Sequence, residues 1–301
     1  MPKIQSNTSI SNSLNVNVEI LPRVVDLGGF EVRRILPCIE KKTVGPFVFW
    51  DQAGPGEFIR GHGIDVRPHP HICLSTMTYL FKGRLQHRDS IGSNRIITPG
   101  DVNLMTAGRG IAHSERTPEI DRLHNHPIFG IQTWLAIPIN KEEINPKFTH
   151  YSKEQLPRIV EKNLEISLVA GEWMGLKSPV DTLIDTLFVE CKLKEHAELN
   201  IPATTEERAI HILSGSVKLD NYDYGNQRML ILKPNSEIKV TATDEAHIIL
   251  LGGSPLEEPR HLWWNFVASS KDRIEQAKLD WSEGKFGEIP GDDQEFIPLP
   301  N

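Results

Sequence analysis

The chain has 301 residues, 39% hydrophobic and 24% charged, with 33 basic against 40 acidic side chains and a net charge of −7. That length suffices for one large or two medium domains with real cores, and the acidic balance argues against a surface that tracks phosphates, so direct nucleic-acid binding is not expected. No run approaches the roughly 18 apolar residues of a membrane-spanning helix, and three widely spaced cysteines, Cys38, Cys73 and Cys191, make no CxxC pair and read as reduced thiols of a cytoplasmic protein.

Taken in chain order, the first stretch, MPKIQSNTSISNSLNVNVEI, is rich in Ser and Asn and lacks the apolar segment of a secretory signal. Short apolar runs then recur: GPFVFWDQ, STMTYLFKG, DVNLMTAG, FGIQTWLAIP, DTLFVECKL, ERAIHILSGSVKL, MLILKP and AHIILLGG. Turn residues punctuate them, as in AGPGE, TPGD, KPNSE and GGSP. Many short strands at nearly even spacing predict an all-β chain of sandwiches or closed barrels. The one strong helical signal is SSKDRIEQAKLDWSEG, with Ser269 as N-cap, Asp272 three residues on and Gly284 as the stop. Ile274, Ala277 and Trp281 make its apolar stripe, so it reads as a docking helix.

TYLFKGRLQ (78–86) resembles IHILSGSVKL (210–219), and each is followed by a polar turn, an apolar strand and a Pro-bearing turn. Two similar β units account for the chain: an N-terminal barrel over 18–150 and a C-terminal barrel with helix and tail over 151–301. The polar stretch 144–163 is the natural linker.

Within the first unit, DVRPHPHICLST places His69 and His71 two apart in a strand-like run, so both side chains share a face. GRGIAHSERTP repeats the spacing with His113 and Glu115, after Gly108 and Gly110 that allow a tight turn. Three imidazoles and a carboxylate suit iron, manganese, cobalt, nickel or copper better than a thiolate zinc site. An octahedral ion held by four groups keeps two open positions. The competing reading is a set of core histidines satisfied by carbonyls. His62, close to the first pair, is a candidate supporting group. The other histidines, His87 and His211 among them, read as surface or capping residues.

The segment from Asp65 to Pro118, with FGIQTWLAIP and HLWWNFVASSKDRIEQAKLDW, resembles the pirin family of the cupin superfamily. The resemblance implies a bicupin with one mononuclear metal in the N-terminal barrel, held by His69, His71, His113 and Glu115. In the general cupin pattern (HxH, four residues, Glu, six residues, Gly) the Glu slot falls on Thr76 and the Gly slot on Gly83. The missing glutamate is normal for pirins, where the carboxylate comes from the later HxE. Sliding the first repeat onto the second places His69 and His71 opposite Ile201 and Ala203, and Thr76 opposite Arg208, so the C-terminal barrel is expected to hold no metal.

Some bacterial pirins are similar to quercetin 2,3-dioxygenases. This implies a flavonol-like aromatic substrate, dioxygen and release of carbon monoxide, with Glu115 as general base and Fe(II) as the favoured ion (Mn, Co, Ni or Cu as alternatives). Eukaryotic pirins resemble redox-sensitive transcription cofactors, and bacterial relatives are linked to metabolic enzymes. The alternative is therefore a metal-dependent regulator with a protein partner. A monomer with no membrane contact is expected.

Overall fold

In a computed structural model, which describes residues 8–10 and 13–300, the chain forms two β-barrels, each a large antiparallel sheet closed by a four-stranded one. This is the bicupin architecture that the resemblance implies. Residues 1–7, 11 and 12 of the Ser- and Asn-rich stretch lie outside the described residues. Among the described residues, no helix is long and apolar enough to cross a membrane.

The first barrel's large sheet runs Lys147–Tyr151, Val102–Thr106, Leu74–Lys82, His126–Ala136, Phe47–Phe58, Glu31–Leu36, Arg23–Asp26. Its small sheet runs Asp65–His71, Ile111–Arg116, Leu85–Asp89, Asn94–Ile97. Successive strand residues face opposite sides, and strand Leu74–Lys82 shows what that achieves. Met77 and Tyr79 point into an apolar layer shared with Phe188, Ala209, Met229 and Ile249 of the second barrel. Thr78 points the other way, to Glu115 inside its own barrel. The two large sheets therefore pack against each other, with Trp50 and Phe47 fully buried between them.

The interiors differ sharply. The second barrel is filled by Ile166, Leu168, Val189, Ile210, Val217, Val240 and similar side chains. Ile201, opposite His69 in the repeat, is part of that filling, and Arg208 spends its guanidinium on the carbonyls of Pro202, Lys233 and Ser236. The first barrel instead buries His69, His71, His87, His113, Glu115 and Thr78.

Each end of the chain crosses to the other barrel. Val16–Ile20, inside which the expected start at residue 18 falls, pairs with Arg228–Leu232 in the second barrel's large sheet. Its alternating VNVEI fits any half-buried edge, so the partner could not be read locally. At the other end, hairpin His261–Trp263/Phe266–Ala268 and helix Lys271–Ser282 pack on Ile72, Cys73 and Ala112 of the first barrel. The linker 144–163 also holds structure: Lys147–Tyr151 joins the first barrel and Arg158–Val160 the second.

The helix is capped by Ser270, whose side chain accepts from Asp272 N. Ser269, the expected cap, instead donates through N and Oγ to Glu142. The helix docks through Ile274 and Ala277, as its stripe predicts.

Candidate metal centre

Strands Asp65–His71 and Ile111–Arg116 are antiparallel neighbours, with His113 opposite His69 and Ile111 opposite His71. The register slips between His113 and Glu115, which faces Val66. Local period-2 geometry and this pairing thus bring the HxH pair and His113 to one place, with Glu115 beside His113. The rings of His69, His71 and His113 have centroids 4.3 to 5.0 Å apart, and one ligand atom from each lies within 4.8 Å of the others.

Which nitrogens are free follows from hydrogen bonding. His69 Nδ1 lies 2.8 Å from the Arg67 carbonyl and His71 Nδ1 lies 3.0 Å from the Asn265 carbonyl. A carbonyl only accepts, so both Nδ1 atoms carry the proton and both Nε2 atoms keep a lone pair. Asn265 belongs to the C-terminal hairpin, so the crossing segment fixes a ring in the first barrel. His113 Nε2 is buried with no hydrogen-bond partner among the described residues. Leaving such an atom unsatisfied costs about 1–3 kcal/mol, and a coordinated cation is one way to satisfy it.

Burial holds His69 down to about 4 and pushes His71 and His113 well below the ordinary histidine range. All three are therefore neutral near pH 7, the state a metal requires. The donor set fits a divalent transition ion.

Glu115 sits slightly apart. It groups with His113 and His87 within 4.8 Å rather than with all three imidazoles. Thr78 Oγ1 lies 3.1 Å from its Oε1 and 2.7 Å from Gln132 Oε1, so one hydroxyl proton serves one acceptor at a time. Burial raises the Glu115 carboxyl, against the lowering effects of His87 and Thr78. Thr76, the vacant cupin slot, is buried on the same strand as Thr78.

His87 corrects the expectation of a surface residue. It is 4% exposed, opposite Glu115 on strand Leu85–Asp89, and its Nδ1 is 3.4 Å from His113 Nδ1. The signal was present: His87 and Asp89 repeat the same-face spacing of the other pairs. His211 is also no surface residue; it is fully buried and accepts from Trp50 Nε1 at 3.1 Å. His62 is exposed, and no hydrogen bond among the described residues joins it to the site. It lines a depression of about 420 Å³ with Phe58 and Arg122.

A second depression, about 580 Å³, is lined by Asp65, Arg67 and Arg116 from the two ligand-bearing strands, and by none of the site residues. Glu115 and His69 are 8% and 6% exposed against 1% for His71 and His113. The site is therefore least sealed at Glu115 and His69.

Comparison with known proteins gives a consistent result. A pirin family model matches residues 29–135, and a pirin C-terminal cupin domain model matches 188–287. A pirin-like protein of Caulobacter vibrioides is 45% identical over 91% of this chain and 96% of that one. A Pseudomonas aeruginosa protein, named provisionally as a quercetin 2,3-dioxygenase, is 34% identical over 87% of this chain and 82% of that one. The crystal structure of a quercetin 2,3-dioxygenase from Acinetobacter baumannii superposes with a TM-score of 0.87 at 34% identity, covering 94% of each chain.

Proposed function

The chain belongs to the pirin family, and from that premise we propose that it is a mononuclear metal dioxygenase of quercetin-type flavonols. The observation that carries the reading is His113 Nε2, a buried ring nitrogen with no hydrogen-bond partner among the described residues, set among two further imidazoles whose Nδ1 atoms bond carbonyls and whose Nε2 atoms keep a lone pair. His69, His71, His113 and Glu115 would hold one divalent ion, with Fe(II) favoured over Mn, Co, Ni and Cu. Once bound, that ion would supply Lewis-acid polarisation of the flavonol 3-oxygen and its neighbouring carbonyl.

The rest falls to the chain's own residues. Glu115 accepts the 3-hydroxyl proton on a carboxylate oxygen. Thr78, beside Oε1, orients that carboxylate. The surrounding barrel wall, including Trp134 against the His71 ring at 5.0 Å, limits water around the reacting atoms. The deprotonated flavonol is electron-rich enough to react with dioxygen, opening the central ring and releasing carbon monoxide. Two relatives whose names carry quercetin 2,3-dioxygenase support the reaction class.

The test is anaerobic reconstitution with Fe(II), Mn(II), Co(II), Ni(II) or Cu(II), followed by flavonol and air. Matched loss of flavonol and appearance of carbon monoxide is expected with at least one ion. Full occupancy without flavonol loss for every ion overturns the activity while leaving the metal site.

A further inference from the structure

One buried pair of titratable groups has no part in the reaction above. His87 Nε2 lies 2.9 Å from Asp89 Oδ2, and the two side chains are 4% and 0% exposed. Asp89 Oδ1 is already taken by the backbone N–H groups of Ser93 at 2.8 Å and Ile91 at 3.2 Å. The His87 ring is pinned flat against Phe148, with centroids 4.3 Å apart and planes 15° from parallel. Its other nitrogen, Nδ1, faces His113 Nδ1 at 3.4 Å.

With His87 neutral, proton placement along this chain of atoms follows from its donors and acceptors. The Asp89 carboxylate can only accept, so the neutral His87 ring carries its proton on Nε2. Its Nδ1 is then an acceptor and takes a hydrogen bond from His113 Nδ1–H. His113 is thereby left with a bare Nε2, the atom that is buried without a partner. The Arg67 and Asn265 carbonyls do the same for His69 and His71. Histidine ligands are generally set this way, by the group on the far ring nitrogen.

We propose that Asp89 and His87 form a positioning relay that holds His113 in its Nδ1–H tautomer and keeps Nε2 available to the metal. This rests on the ligand reading above for its consequence, but not for its tautomer. It also gives His87 a role other than ligand, although His87 groups with His113 and Glu115 closely enough to be one.

Asp89→Asn is the sharp test, because it keeps the shape and inverts the relay. The backbone donors of Ile91 and Ser93 would hold the amide oxygen, turning the NH2 toward His87 Nε2. His87 must then accept there and carry its proton on Nδ1. It would donate to His113 Nδ1 and force the His113 proton onto Nε2.

The experiment uses apoprotein labelled with 15N-histidine and long-range proton–nitrogen correlation, alongside Co(II) titration of the full chain. In wild type, His113 should show a protonated Nδ1 and a bare Nε2. In Asp89→Asn that pattern should reverse, and Co(II) affinity should fall roughly 10–100-fold, the usual effect of losing such a partner. His87→Phe keeps a ring against Phe148 and serves as the second variant. It should leave His113 as a mixture of tautomers, with partial loss of Co(II) affinity.

A His113 that stays Nδ1-protonated in both folded variants overturns the relay. So does His87→Phe losing Co(II) as completely as His113→Ala, which would make His87 a ligand. A reversed tautomer with unchanged Co(II) affinity supports the relay and instead overturns His113 as a ligand.

Discussion

The Tyr79 hydroxyl donates to Glu190 Oε2 at 2.7 Å across the junction of the two barrels. Its neighbour Thr78, on the opposite face of the same strand, lies against Glu115. One strand thus serves the inter-barrel contact and the candidate centre at once. The alternation of its side chains also explains why the apolar C-terminal barrel can brace a polar N-terminal one.

That junction predicts an acid-sensitive stability term. Burial alone would raise the Glu190 carboxyl, but His247, Lys192 and Tyr79 together outweigh it and hold it at about 2. A carboxyl whose folded value lies below its unfolded value stabilises above the unfolded value and loses that contribution as pH falls toward the folded one. Against an unfolded value near 4.3, the contribution at pH 6 is about 3 kcal/mol. Glu190→Gln removes the titration but keeps a hydrogen-bonding side chain. In urea unfolding, the stability gap between wild type and this variant should narrow by about half between pH 6 and pH 3. A gap independent of pH would show that Glu190 is not held ionised by the junction.

Metal content is the second expectation. Purified or reconstituted protein should carry close to one transition-metal ion per chain, measured by elemental analysis. His69→Ala and His113→Ala should each remove it, since losing a ligand costs more than the roughly 10–100-fold typical of its supporting partners. Stoichiometric metal in both variants would mean the ligand set is wrong. Anomalous scattering should place the ion in the first barrel; a peak beside Ile201 would refute the reading of the second.

A third concerns the turn that delivers His113. Gly108 has φ +52°, and a Cβ there would sit 2.1 Å from the Ile144 carbonyl oxygen. Left-handed backbone costs a non-glycine residue about 1–2 kcal/mol, and the carbonyl collision adds to it. Gly108→Ala should therefore lose more than about 2 kcal/mol in denaturant unfolding. Gly61→Ala, also at positive φ but with nothing within 4 Å of its Cβ, should lose less. Equal losses would remove the collision from the argument.

The three-histidine cluster and the nearby Glu115 were legible because their spacing is local. HxH and HxE declare same-face pairs within one strand each, and only the antiparallel pairing had to be supplied. His87 escaped although HRD has the same spacing, because a lone histidine beside an aspartate is chemically ambiguous until its neighbours are known. The crossing ends were not legible. VNVEI carries an edge-strand pattern but no address, and nothing local in LWWNF predicts that Asn265 will fix the His71 ring. Sequence patterns set by one element's own period can be read off; partners chosen by distant packing cannot.

The last expectation concerns Glu115, which separates turnover from a metal site that serves only partner binding. As a ligand it contributes an oxygen and a negative charge. As a base it must also come within roughly 2.6–3.2 Å of the substrate hydroxyl in a productive pose. Glu115→Gln keeps the size and an oxygen, and its amide can still meet Thr78, but it removes the basicity. The variant should retain metal more weakly, because three imidazoles remain. If Glu115 is the base, flavonol turnover should fall by about two to four orders of magnitude, the range for a positioned proton acceptor. If the metal serves a protein partner instead, partner binding should track metal content and redox state and survive wherever metal survives. A Gln variant with full metal and near-wild-type cleavage would sink the base assignment. Glu115 would then be a ligand at most, and the flavonol proton would have to leave to solvent through the less sealed side of the site.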